Sequence, residues 1–273
     1  MKIYGVLGYP VKHSLSPSMH NAAFKALKID AEYRFFEVAP SDLNKFFDAL
    51  MEKGICGLNV TVPYKERVIS FLSSLSEEAK LIGAVNTIKI SGKGLEGFNT
   101  DGEGFLKHLK EDLKFDPAGK NIAVIGAGGA AKAVSVYLSR TRPARISIYD
   151  IDTQKAKNLV HHLKENFSIP KINAAESVEG LDIRHCELLI NATPVGMKES
   201  DPCIVNEGLI TDKILVYDLI YNPKETKLLK LAREKGARVS NGLGMLLYQG
   251  MVSFEFWTGR KAPKAVMQDA LRV

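Results

Sequence analysis

The sequence predicts an α/β fold in two domains, on three observations. Short apolar runs suited to strands alternate with amphipathic helical segments, a turn-rich "KFDPAGK" interrupts the alternation, and a regular strand-helix repeat then fills residues 121 to 240. A chain of 273 residues, 45% hydrophobic and 25% charged, is long enough to bury one large core or two smaller ones. The joins are placed so that residues 1–101 plus 241–273 form one domain and residues 102–240 the other.

In the first domain the strands are "KIYGVLG", "AEYRFFEVA", "GLNVTV" and "AVNTIKI", with helices over "PSMHNAAFKALK" and "LNKFFDALMEKG". A helix carrying Phe105, Leu106, Leu109 and Leu113 on one face leads into the second domain. There "NIAVIG", "RISIYD", "CELLINA" and "ILVYDLI" read as buried parallel strands. The tail, "NGLGMLLYQGMVSFEFW", has a helical apolar period and no strand after it, so it is expected to pack back on the first domain.

Several function classes are set aside. No apolar run approaches the ~20 residues of a membrane span, and the start lacks the charged, apolar and cleavage regions of a signal peptide, so a cytoplasmic location without a membrane partner is expected. The three scattered cysteines read as reduced packing residues, and the six histidines show no metal-ligand spacing. The net charge of +6 comes with no basic block, which argues against nucleic acid; a mild positive field suits a small anionic substrate and a phosphate-bearing cofactor.

The strongest local signal is "NIAVIGAGGAAKAVSVYL", where Gly126, Gly128 and Ala131 match G-x-G-x-x-G/A between a strand and an amphipathic helix. The backbone of Gly126, Ala127, Gly128, Gly129 and Ala130 is expected to turn tightly against a dinucleotide pyrophosphate at the helix N-terminus. Asp150 ends the next strand, where an acidic side chain reads the adenosine ribose; alternatively, Asp150 or Asp152 caps the helix over "TQKAKNLV".

The first domain holds the polar residues suited to chemistry. Strand alternation puts Asn59 and Thr61 on one face and Leu58, Val60 and Val62 on the other, with Pro63 opening a helix and Lys65 a turn beyond. Asp101 stands at a helix start in "FNTDGEGF". In "HSLSPSMHN", Ser16 before Pro17 is a good N-cap, and the helix's positive end near Ser14 and Ser16 suits a carboxylate.

Taken together, "GYPVKHSLSPSMHN", "GLNVTVPYKE", "GAVNTI", "NTDG", "GAGGAAKA", "INATPVGM", "YNPKET" and "NGLGMLLYQG" resemble the shikimate dehydrogenase family in order and spacing over nearly the whole chain. The resemblance implies a Rossmann domain and an α/β substrate-binding domain with the active site in the cleft between them. It implies substrate-carboxylate contacts from Ser14 and Ser16 with Tyr221, and a pocket for the ring hydroxyls framed by Asn59, Thr61, Asn86 and Gln249. Lys65 and Asp101 match the catalytic pair. Asn191, Ala192, Thr193 and Pro194 match the loop beside the cofactor, Leu219 and Gly242 the contacts near the nicotinamide, and Glu77 a position linked to the cofactor. The implied reaction is the reversible NADPH-dependent reduction of 3-dehydroshikimate to shikimate, on the way to chorismate and the aromatic amino acids, by a monomer or homodimer. Lys65 is expected to rest protonated and to act as the proton donor in the reducing direction. A quinate/shikimate enzyme preferring NAD, and a non-catalytic metabolite sensor on the same fold, are the alternatives.

One motif departs from the family. Its members resemble one another in an Asn-Arg-Thr stretch that grips the 2′-phosphate of NADP, whereas this chain has Asp150, Ile151 and Asp152 there, with Lys155 as the remaining phosphate partner. A carboxylate about 4 Å from a phosphate charge costs from ~1 kcal/mol in water to ~4 kcal/mol at an effective dielectric of 20. The expectation is therefore NAD(P), with NAD used at least as well as NADP.

Overall fold

The computed structural model describes residues 1–50, 53–92 and 94–272. The chain divides into two compact units, one of Met1–Gly104 with Leu246–Val273 and the other of Phe105–Met245.

The first unit is built on β1 (Lys2–Gly8), α1 (Ser16–Ala26), β2 (Ala31–Glu37), α2 (Leu43–Asp48), β3 (Ile55–Val60), β4 (Ser74–Leu75), α3 (Glu77–Ile82), β5 (Thr87–Ser91), β6 (Gly94–Phe98) and the start of α4 (Asp101–Glu111). Its six strands lie in the order β2-β1-β3-β5-β6-β4, parallel at β1–β2, β1–β3 and β4–β6 and antiparallel through β5. Leu7, Leu58, Val60 and Ile88 bury one side of this sheet under α2 and the segment that follows β3. The second unit contains β7 (Asn121–Ile125), α5 (Gly129–Arg140), β8 (Arg145–Tyr149), α6 (Thr153–Asn166), β9 (Lys171–Ala174), β10 (Leu188–Asn191), β11 (Leu215–Asp218), α7 (Lys227–Glu234) and β12 (Arg238–Ser240). All six strands are parallel, in the order β12-β11-β10-β7-β8-β9. That is the doubly wound dinucleotide-binding order, with its switch point between β7 and β10. The near-continuous apolar runs follow from burial on both faces. Two helices close the chain, α8 (Leu243–Thr258) and α9 (Lys264–Asp269).

Three local expectations are corrected. β3 ends at Val60, so Val62 is not on a buried face but 65% exposed. Pro63 does not open an α-helix; the Val62–Pro63 peptide is cis, and a short 3-10 helix forms only at Arg67–Phe71. The carbonyl of Lys65, which an α-helix would use, instead accepts the N–H of Val85 at 2.7 Å. Ser16 is the first residue of α1 rather than its cap, and Ser14 Oγ accepts the Ser16 N–H at 3.3 Å.

The first unit carries a buried aromatic cluster around His20. Its ring stacks on Tyr33 with centroids 4.4 Å apart and planes 5° off parallel, and lies 5.6 Å from Trp257, the single tryptophan of the chain. Both ring nitrogens are buried without a hydrogen-bond partner, and burial pushes the imidazole down to about 3. The folded state therefore keeps the ring neutral while the unfolded chain takes up a proton below about 6.5. Stability present above that pH is lost as pH falls toward 3, at up to ~1.4 kcal/mol per pH unit from this one group. Denaturant unfolding followed by Trp257 fluorescence at pH 7 and pH 5 is expected to show this loss in the wild type. In His20→Phe the slope should be smaller by about that amount.

Candidate functional site

The polar centre of the first unit forms where four chain segments meet. β3 ends at Val60, whose N–H donates to the Asn86 carbonyl at 2.8 Å, and the Asn86 N–H donates to Phe98 O at 3.1 Å. These two bonds place the residue before β5 between the end of β3 and the end of β6. The turn after β3 is tied by Tyr64 N–H to Thr61 O at 2.9 Å, and Thr61 N–H reaches Leu7 O on β1 at 2.9 Å. Lys65 leaves this turn with its side chain 15% exposed and sets Nζ 2.5 Å from Asp101 Oδ2, whose side chain is 6% exposed.

Asp101 is the first residue of α4, where the helix dipole favours a carboxylate. Its N–H donates to Asn99 Oδ1 at 3.0 Å, and its second oxygen accepts Asn86 Nδ2 at 2.9 Å. The Asn86 amide also donates to Thr100 Oγ1 at 2.9 Å and Gln249 Oε1 at 3.3 Å. Lysine, aspartate, asparagine and glutamine are thus drawn together from four segments. An ammonium held by a buried carboxylate can pass a proton to an oxygen beside it.

The remaining residues expected around a substrate stand as follows. Ser14 and Ser16 are joined, Ser14 Oγ donating to Ser16 Oγ at 3.2 Å, at the N-terminus of α1. Thr61 is half-buried. Asn59 is buried, and its amide is used within the protein: Oδ1 accepts Tyr33 Oη at 2.7 Å, while Nδ2 faces Asn86 O, Thr87 Oγ1 and Ser253 Oγ at 3.0 to 3.2 Å. Glu77 is an exposed residue in the first turn of α3, paired with Lys80 at 2.7 Å. Tyr221 is half-buried in the segment between β11 and α7.

The second unit supplies a cradle at its switch point. Gly126 has φ +110°, and a Cβ there would lie 3.0 Å from Ala192 O, so only glycine lets the loop after β7 pass against the loop after β10. Gly128 is the N-cap of α5 with no side-chain hydrogen bond, and a Cβ added to it would meet nothing within 4 Å. The helix N-terminus is therefore open to an approaching phosphate, and the Gly126, Ala127, Gly128, Gly129 and Ala130 backbone fits a dinucleotide. Across the switch point, Asn191 Oδ1 accepts the Thr193 N–H at 3.1 Å and hydroxyl at 2.8 Å, and Nδ2 donates to Val195 O and Asp218 Oδ1, both at 3.1 Å. This shapes Ala192, Thr193 and Pro194 from within.

Asp218 was not singled out from the sequence, although an acid ending the apolar run "ILVYD" is unusual enough to mark it. It is fully buried, and accepts Asn191, the Ile220 N–H at 3.1 Å and the Thr226 hydroxyl at 2.7 Å. Burial raises its carboxyl against those three hydrogen bonds, which lower it. Beside it, Gly242 donates its N–H to Ile220 O at 3.1 Å, and a Cβ would fall 2.0 Å from Leu219 O.

The structure gives the helix cap to Asp152 and a different tie to Asp150. Asp152 caps α6, accepting Gln154 N–H at 3.1 Å and Lys155 N–H at 3.3 Å. Asp150 Oδ2 accepts the Ala127 N–H at 2.7 Å and Oδ1 the Asp152 N–H at 2.9 Å, so this carboxylate ties the glycine-rich loop to the loop after β8. Lys155 Nζ lies 3.6 Å from Asp152, and Ile151 is 91% exposed beside them.

Known proteins resemble this chain over nearly its whole length. Residues 6–88 match the shikimate dehydrogenase substrate binding domain, and residues 242–272 match the shikimate 5'-dehydrogenase C-terminal domain. The chain is 44% identical to a protein of Methanopyrus kandleri named shikimate dehydrogenase (NADP(+)), over 98% of this chain and 94% of that one. The crystal structure of shikimate dehydrogenase from Aquifex aeolicus superposes with a TM-score of 0.91 at 40% identity, over 100% of this chain and 98% of that one. Shikimate 5-dehydrogenase from Listeria monocytogenes, solved in complex with shikimate and NAD, gives 0.87 at 33% identity, over 99% and 96%. At this identity and coverage, the chain belongs to the shikimate dehydrogenase family.

Proposed function

We propose that the protein is a shikimate dehydrogenase, interconverting 3-dehydroshikimate and shikimate with NAD(P) in aromatic amino acid biosynthesis. The observation that carries this reading is the Lys65–Asp101 pair held by Asn86 in a chain of this family. The first unit is assigned to the substrate, with Ser14 and Ser16 at its carboxylate and Thr61, Asn86 and Gln249 around its hydroxyls; Asn59 frames that pocket from behind. The second unit is assigned to the dinucleotide, held by Gly126 to Ala130, Asn191 to Pro194, Leu219 and Gly242. When bound, the nicotinamide supplies the hydride donor or acceptor. Lys65 Nζ gives a proton to the ketone oxygen as it becomes a hydroxyl, and takes it back in the oxidising direction. Asp101 Oδ2 orients that ammonium and balances its charge. Because no helix among the described residues is long and apolar enough to cross a membrane, nothing in them opposes a cytoplasmic enzyme acting as monomer or homodimer.

The cofactor is read more finely from Asp150. Its carboxylate accepts the Ala127 N–H of the loop that an adenosine ribose would approach, and Lys155, the remaining phosphate partner, lies beside Asp152. NAD is therefore expected to serve at least as well as NADP.

Two measurements test these assignments. Lys65→Ala is expected to lower kcat by ~10²–10⁴, the usual contribution of a positioned acid-base group, with a much smaller change in KM for shikimate. A kcat like that of the wild type would remove Lys65 from the chemistry. For the cofactor, kcat/KM is compared across shikimate or quinate, each with NADP or NAD. Shikimate with NAD should equal or exceed shikimate with NADP, and a strong NADP preference would show that a basic group outweighs Asp150. Protein that binds shikimate while leaving cofactor absorbance unchanged would be a sensor rather than an enzyme.

A further inference from the structure

A one-way chain of hydrogen bonds runs through the first unit and ends on Asp101. The orientation of two amides along it is set by backbone groups whose roles are unambiguous. Asn86 Oδ1 faces the Thr100 N–H at 2.8 Å, which can only donate, so Nδ2 faces Asp101. Asn59 Nδ2 faces the Asn86 carbonyl at 3.2 Å, which can only accept, so Oδ1 faces Tyr33. The hydroxyl of Thr87 between them therefore accepts from Asn59 Nδ2 at 3.1 Å and donates to Asn86 Oδ1 at 2.9 Å. In sequence, Tyr33 O–H donates to Asn59, Asn59 N–H to Thr87, Thr87 O–H to Asn86, and Asn86 N–H to the carboxylate that holds Lys65.

We propose that Tyr33 and Thr87 are positioning residues for the reaction, acting through Asn86 to aim and polarise the Asp101 carboxylate. Each donor in such a chain is strengthened by the bond its own group accepts, and the low-dielectric interior makes these bonds stronger than they would be in water. Thr87 is fully buried and Tyr33 is 2% exposed, so neither is placed to touch a ligand. Ser253 of α8 lies beside the middle of the chain: its own hydroxyl donates to Gln249 O at 3.0 Å, so toward Asn59 Nδ2 at 3.0 Å and Thr87 Oγ1 at 2.9 Å it stands as an acceptor. The inference rests on the dehydrogenase reading for its kinetic consequence, but not for the geometry.

Thr87→Val removes the hydroxyl at nearly constant volume, and Thr87→Ser restores it. Thr87→Val is expected to lower kcat by ~10–100-fold, the scale on which small misplacements act, with KM for shikimate changed much less. Thr87→Ser should recover most of the rate. In an Asp101→Asn background the Thr87→Val loss should shrink to about threefold or less, because the two substitutions act on one path. A wild-type kcat in Thr87→Val, or the same fold-loss in both backgrounds, overturns the proposal. Should Thr87→Val fail to fold, Tyr33→Phe, which keeps the ring that stacks on His20, carries the same measurements and outcomes. A readout without turnover separates this inference from the reaction itself. The side-chain amide resonances of Asn86, recorded by NMR without substrate, should move in Thr87→Val and return in Thr87→Ser, and unmoved resonances overturn the positioning role. A wild type inactive on shikimate with either cofactor would instead overturn the reaction assignment.

Discussion

A buried primary amide must find partners for two donors and a carbonyl oxygen, and Asn86 meets that demand only if three distant segments converge on it. Its backbone joins the ends of β3 and β6, and its side chain reaches the first turn of α4 and Gln249 on α8. Leaving any of these groups unpaired in the interior would cost about 1–3 kcal/mol. Lys65 and Asp101 lie 36 positions apart, and the Asn86 amide holds the carboxylate that Lys65 meets. The same bonds that stabilise the first unit therefore define its most chemically active pair.

The second unit solves a comparable problem with a buried carboxylate. Asp218 ends β11 beside Asn191 at the end of β10, and between them they take up the free backbone groups of two loops. Asn191, Asp218 and Thr226 thereby tie the loop after β10 to the segment after β11. In the proposed dinucleotide site such anchored backbone would matter, because a dinucleotide is recognised largely by backbone groups, whose positions no rotamer can correct.

Much of this was legible in the sequence where local chemistry decides the outcome. Apolar runs located the parallel strands, and the glycine spacing located the turn that must pass under Ala192. What stayed hidden depended on contacts between distant residues. The turn through Pro63 is drawn away from a helix because Val85 takes the Lys65 carbonyl, a partner 20 positions away that no local pattern reveals. Strand alternation sets Asn59 opposite its apolar neighbours, but no local pattern reveals that Tyr33, Thr87 and Ser253 take up its amide. Ser16 has the residue type and the following proline of a cap, but Ser14 takes its N–H and the helix begins one residue earlier.

Asp150 does two things with one carboxylate. It presents negative charge beside Ile151, and it tethers the Ala127 N–H to the loop after β8. Exchange of this acid for a residue that cannot accept a hydrogen bond would therefore change more than charge, because it would also release the Ala127 N–H from the loop after β8. An asparagine could remove the charge and keep the tether, since its side-chain oxygen still accepts. Charge and anchoring at this position are thus separable only through a neutral acceptor, and every aliphatic or basic replacement loses both at once.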